Sequence, residues 1–245
     1  MDIPHILSQN INSGRVVLFL GSGATIGAKT QSGKEAPKGN DLANILSKEY
    51  FGEEKTTKTL SSVAELAISE TDIHTVQQFV KNYFDEFEPA EFHLKIPTFR
   101  WIAIYTTNYD LVIEKAYQRQ LSKTQNIQCI YKNSDRVDEV LRTTDSICYV
   151  KLHGCITKID DLTIPLILTP DQYVTHKRNR DRLFNRLDEH GHQYTIVFVG
   201  YSLDDLDLRQ ALLSLSETVE ERPRFYTVTP SLSDAEVRMW EKKKI

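Results

Sequence analysis

Four short segments carry the residue types that do chemistry, and each follows an apolar run. The first, VVLFLGSGAT at Val16–Thr25, leads five apolar residues into a Gly-Ser-Gly turn. Gly21 and Gly23 have no Cβ, so the turn can take unusual dihedrals and let phosphate oxygens approach the amides of Gly21, Ser22, Gly23, Ala24 and Thr25. The second is TTNYD at Thr106–Asp110, where Thr107 and Asp110 flank Asn108, whose amide both donates and accepts. The third is KLHG at Lys151–Gly154, with an imidazole at His153 able to act near neutral pH as a general base. The fourth is GYSLDD, with Gly200, Tyr201, Ser202 and Asp204. An anion cradle, an orienting amide and a base are the parts of a nucleotide-processing site.

Such parts need a scaffold that brings them to one place. Short apolar runs alternate with longer amphipathic ones, which is the pattern of a parallel sheet flanked by helices. Strands are predicted at Val16–Leu20, Trp101–Tyr105, Ile147–Leu152, Thr195–Val199 and Phe225–Thr229, with weaker ones at Gln128–Tyr131 and Leu166–Thr169. Helices are predicted from Asn40 or Asp41 through LANILSKEYF, then at Ser61–Ser69, Asp72–Phe87, Tyr109–Gln120, Arg178–Glu189, Asp204–Leu215 and Ser233–Lys242. In an open parallel sheet the ligand lies beyond the carboxyl ends of the strands, where all four polar segments fall. The fold class expected is therefore α/β, Rossmann-like, with a helical insertion after the first strand. That insertion, about 41–95, reads as a small helical subdomain. The loop Lys29–Gly39, rich in Gly, Pro and Lys, is placed to close over a nucleotide. No repeat or low-complexity linker interrupts the chain, so one domain over 1–245 is the simplest parse.

Each polar segment also has a plainer use. Asn108 is suited to cap a helix beginning at Tyr109, and Ser202 and Asp204 are suited to cap the helix that follows them. A His-Gly pair alone is more often a turn histidine than a catalytic one. The glycines read Gly21-x-Gly23-x-x-x-Gly27, which is not the dinucleotide fingerprint, and no acidic residue ends a second strand about 20 residues on. An ordinary Rossmann dehydrogenase is disfavoured. Gly33-Lys34-Glu35 is not a P-loop either, because Glu35 stands where Ser or Thr is required and the spacing back to Gly27 is one residue too long.

Composition narrows the partners. With 245 residues, a formal net charge of −4 and a pI near 6.0, no global basic field favours nucleic acid. The basic stretch His176–Arg186 is interleaved with an acid at helical spacing and reads as a solvated helix face. Three cysteines without a C-x-x-C pair predict neither disulfides nor a zinc ribbon, which suits a reducing cytosol. No signal peptide or membrane-length apolar run is visible, so a cytoplasmic protein is expected. The terminal EKKKI follows a helical segment without a stop and reads as the cut end of a longer protein.

The order GSGAT, TTNYD, KLHG and GYSLDD resembles the sirtuin superfamily over nearly the whole chain, from about Val16 to Thr229. The resemblance implies an NAD site. Asn108 and His153 would be catalytic, and Gly21–Thr25, Thr107, Asp110, Gly200, Tyr201, Ser202 and Asp204 would hold the dinucleotide. It also marks a departure: sirtuin deacylases carry a zinc ribbon after the His-Gly, and here Cys155 has no partner pair in the short segment before Gly200. The pattern, together with IPLILTPDQY at Ile164–Tyr173, is similar to zinc-free sirtuin-like effector domains of bacterial anti-phage systems, which hydrolyse NAD. What that implies is an NAD glycohydrolase that needs no metal and takes NAD as substrate. It would self-associate or assemble with other parts of a defence complex, and would contact neither nucleic acid nor membrane. A protein deacylase or ADP-ribosyl transferase, and a non-catalytic nucleotide-binding or assembly module, are the alternatives.

Overall fold

A computed structural model describes residues 3–201, 222–229 and 233–245. Its centre is a six-stranded, fully parallel sheet in the order β3-β4-β2-β1-β5-β6. The strands are β1 (Val16–Leu20), β2 (Ala103–Thr106), β3 (Asn126–Ile130), β4 (Ser146–Lys151), β5 (Thr195–Val199) and β6 (Tyr226–Val228). The helices are α1 (His5–Asn12), α2 (Gly39–Phe51), α3 (Leu60–Glu70), α4 (Ile73–Phe84), α5 (Val112–Arg119), α6 (Val137–Leu141), α7 (Pro170–Thr175), α8 (Asp181–Gln193) and α9 (Asp234–Glu241).

Alternation along the strands builds two cores. Val17, Phe19, Tyr105, Val150 and Phe198 face Leu183 and Leu187 of α8 and Trp240 of α9. Val16, Leu18, Leu20, Ile104 and Tyr149 face Leu7 of α1 and Ile113 and Tyr117 of α5. Every residue of β1 is buried, as befits a strand covered on both faces, whereas β3 at the edge is half exposed. Full burial of such aliphatic and aromatic side chains stabilises by roughly 1.5–3 kcal/mol each, which is why β1 has the bounds its apolar run predicts.

A third core joins α2, α3 and α4, the insertion after β1, to Ile156, Leu166 and Leu168. This corrects the strand expected at Leu166–Thr169. The run is apolar because it is buried against the helical insertion, and its N–H groups find separate partners instead of a ladder. Leu166 donates to Gln77 Oε1 at 2.7 Å, Ile167 to the His153 carbonyl at 3.0 Å, and Leu168 to Gln172 Oε1 at 2.8 Å.

Other boundaries moved for local reasons. α2 starts at Gly39, and Asp41, expected as a possible cap, instead accepts from the Lys38 N–H at 3.0 Å from inside the first turn. α9 opens as a capping box, with Ser233 accepting from Glu236 N–H and Glu236 accepting from Ser233 N–H. The basic stretch is not wholly a solvated face. Arg180 precedes α8, is buried, and donates to the Pro165 carbonyl at 3.1 Å; burial pulls its guanidinium down to about 10. The expected helix at Asp204–Leu215 lies outside the described residues.

Candidate active site

The connections leave β1 toward β2 on one side, and the chain later enters β5 on the other side of β1. The carboxyl ends of β1 and β5 therefore form the switch point where an α/β sheet opens a crevice. The glycine turn sits there, as a short 3-10 turn at Ser22–Thr25. It is stitched to the end of β5: Gly21 N–H donates to the Val199 carbonyl at 3.0 Å and Gly23 N–H to the Gly200 carbonyl at 2.7 Å. Ala24 N–H donates back to Gly21 at 2.9 Å. A Cβ on Gly23 would stand 2.8 Å from Gly200 Cα, and one on Gly21 would stand 2.5 Å from the Tyr201 ring. The glycines thus allow two strand-end loops to touch. This corrects the expectation that the whole turn offers its amides to phosphate: those of Gly21, Gly23 and Ala24 are taken by main-chain carbonyls, and Ser22 and Thr25 are the parts of the turn that line the open space.

β2 delivers Asn108 beside that turn. Thr106, buried at the strand end, donates its hydroxyl to the Leu20 carbonyl at 2.9 Å and accepts from Asn108 N–H at 3.0 Å. Asn108 Nδ2 then donates to the Gly21 carbonyl at 2.9 Å. A carbonyl can only accept, so the amide orientation follows, and Oδ1 is the group left to accept from a ligand or water. Asn108 does not cap the helix. α5 begins only at Val112, where Asp110 Oδ1 accepts the Val112 N–H at 2.9 Å. Asp110 is nearly buried, so its carboxylate serves the loop as well as the cavity wall.

His153 follows β4 and is 2 % exposed. The Tyr173 ring stands edge-on to its imidazole, with centroids 5.3 Å apart. Gly154 holds φ at +92°, and a Cβ there would meet the Pro165 carbonyl at 3.0 Å, which brings the Ile164–Tyr173 stretch over the histidine. Tyr109 reinforces this by donating its hydroxyl to the Ile167 carbonyl at 2.5 Å.

These groups enclose a cavity of about 200 Å³. Of the residues singled out in the sequence, Ser22, Thr25, Thr107, Asn108, Asp110, His153 and Tyr201 line it. Gly21, Gly23, Ala24 and Gly200 form the junction behind it. Ser202 and Asp204 lie outside the described residues. Residues at 37–39, the end of the loop expected to approach a nucleotide, reach the rim, and Lys38 brings the one cation among the lining residues described.

Three participants had no signal of their own in the sequence. Tyr173 lay in a segment noted for its pattern, not for this residue. His93 is fully buried between α4 and β2, accepts from Ala90 N–H at Nδ1 (2.9 Å), and donates from Nε2 to the Ala24 carbonyl at 2.8 Å, pinning the glycine turn. Burial lowers its pKa, only partly offset by the hydrogen bond to the Ala24 carbonyl. Lys151, the last residue of β4, is fully buried and grips the carbonyl of Asp110. Among the described residues no three His, Cys, Asp or Glu side chains converge as a metal-binding group, and none of their helices is long and apolar enough to cross a membrane.

A family model described as "SIR2-like domain" matches residues 102–245, more than half of the chain. The chain is 24 % identical over 230 residues to NAD(+) hydrolase ThsA of Enterococcus faecium, covering 89 % of this chain and 43 % of that protein. It is 22 % identical over 246 aligned positions to Defense-associated sirtuin 2 of Bacillus subtilis, covering 97 % of this chain and 23 % of that protein. The chain thus spans less than half the length of either relative.

Proposed function

The chain belongs to the SIR2-like domain family, and from that premise we propose that it is an NAD+ hydrolase, the effector part of an anti-phage defence protein of the cytosol. The observation that carries this reading is the fixed orientation of Asn108. Its Nδ2 is held by the Gly21 carbonyl, so its Oδ1 is an acceptor on the same cavity as His153. Binding alone needs no such pair.

The cavity suits the nicotinamide and its ribose, with the pyrophosphate passing over Ser22 and Thr25 toward the Gly200–Tyr201 turn and Lys38 at the rim. In hydrolysis the bond from ribose C1′ to the nicotinamide nitrogen breaks. Its electron pair cancels the pyridinium charge, and nicotinamide leaves. The transition state has oxocarbenium character, as in glycoside cleavage. Asn108 Oδ1 accepts from the attacking water and holds it in line. The water oxygen bonds to C1′ and its proton passes to His153, giving ADP-ribose. Tyr173, edge-on to His153, fixes the imidazole and helps to exclude bulk water. Asp110 sets the loop that carries Asn108. The names of both relatives, one an NAD(+) hydrolase and one a defense-associated sirtuin, support the same role. Assembly with other parts of a longer protein is part of the proposal.

Nicotinamide release from NAD, measured by chromatography on this chain and on any longer protein that contains it, tests the reading. Asn108→Ala and His153→Ala are each expected to lower kcat by about 100-fold or more while the far-ultraviolet dichroism stays unchanged. Full activity in either variant moves the chemistry elsewhere. NAD binding without nicotinamide release in every form of the protein favours a sensor or assembly module.

A further inference from the structure

Lys151 stands at a join that the mechanism above does not use. It closes β4, paired in register with Thr106 of β2, and lies two residues before His153. Its side chain is fully buried and its Nζ donates to the Asp110 carbonyl, to Glu114 Oε1 at 2.8 Å and, more distantly, to the Tyr109 carbonyl at 3.5 Å. Burial alone would lower its pKa, but Glu114 and the surrounding acceptors hold the ammonium protonated. A buried ion pair is a poor way to gain stability, since an apolar pair of the same volume commonly does as well or better. What an apolar pair cannot do is hold carbonyl oxygens. The two carbonyls that Lys151 holds belong to the loop after β2, which carries Asn108, and its own backbone leads directly to His153.

We propose that Lys151 is a positioning residue: its ammonium sets the Asn108 loop against the strand end that bears His153. The proposal rests on the NAD-hydrolase reading for its catalytic consequence. Its structural consequence stands apart from that reading.

The test compares Lys151→Met, Lys151→Met with Glu114→Leu, and Lys151→Gln, using NAD as substrate and amide hydrogen exchange read at residues 107–111. Lys151→Met alone leaves Glu114 buried without its partner and is expected to melt early. The double variant removes both charges and is expected to melt close to wild type. Its kcat should fall by about 100-fold, the cost of a displacement on the order of 1 Å, with KM changed by no more than about threefold. Exchange at 107–111 should quicken while exchange in β1 does not change. Lys151→Gln, too short to reach both carbonyls, should give the same signature if the double variant fails to fold. A folded variant with wild-type kcat, or with wild-type exchange at 107–111, overturns the proposal. Failure of both the double variant and Lys151→Gln to fold assigns Lys151 to stability alone and overturns it too. A wild-type protein that releases no nicotinamide overturns the hydrolase reading instead, and the exchange measurement still decides the part played by Lys151.

Discussion

Gly200→Ala should be among the most damaging single methyl additions in this protein, and its cost can be worked from the geometry. The new Cβ would stand 2.0 Å from Ala24 N and 2.2 Å from Gly23 C. Both are main-chain atoms, so no flexible side chain can swing aside. Gly200 also holds φ at +65°, where an L-residue costs about 1 kcal/mol. To relieve the contact the glycine turn must part from β5. That breaks the bonds from Gly21 N–H to Val199 and from Gly23 N–H to Gly200, worth about 0.5–1.5 kcal/mol each. The sum is about 2–4 kcal/mol, against a total stability on the order of 5–15 kcal/mol. At this chain length about 1 kcal/mol moves the Tm by 2–4 °C, so a fall of about 4–16 °C is expected in a dichroism melt. Gly33→Ala is the control. It has φ at +86° but nothing within 4 Å of its Cβ, so it carries the dihedral cost alone, about 1 kcal/mol. A Gly200→Ala protein that melts no lower than Gly33→Ala would refute the claim that the two strand-end loops are locked together.

Two further outcomes follow from the same geometry. Thr106→Val keeps the shape of the side chain but removes the hydroxyl that joins the Leu20 carbonyl to Asn108 N–H. A loss of about 1–3 kcal/mol in urea unfolding and a lower kcat are expected, with Thr106→Ser restoring both; equal behaviour of Val and Ser would deny the hydroxyl its role. His190 is held down to about 4, first by burial and then by Arg186, and its Nδ1 meets the Tyr105 hydroxyl at 3.1 Å. The folded state therefore prefers neutral His190. Its contribution is fully present above the unfolded pKa of about 6.5 and is lost as pH falls from there toward 4. His190→Gln should make the decline of Tm between pH 7.5 and 4.5 shallower, and an unchanged slope would count against this account.

Much of the scaffold was legible in the chain itself. Short runs of Val, Ile, Phe and Tyr marked all six strands, and β1 and β5 fell within the bounds expected, because full burial selects residue type position by position. The polar segments at strand ends were legible for a related reason. A parallel sheet sends every strand end to one face, so TTNYD and KLHG had to meet the glycine turn. The apolar run at Leu166–Thr169 misled, because burial alone cannot say whether N–H groups find a neighbouring strand or the side chains of Gln77 and Gln172. Residue type also left Asn108 free to cap a helix, whereas in the fold its amide donates to a carbonyl 87 residues away, at Gly21. Likewise the glycines announced a tight turn, but only the approach of Gly200 explains why a methyl group is excluded there. The sequence determined which groups stand at the strand ends, since hydrophobic alternation and turn chemistry act over a few residues. Tertiary structure alone decided which way each group faces, because His93, Lys151 and Tyr173 act through contacts between segments that sequence spacing does not encode.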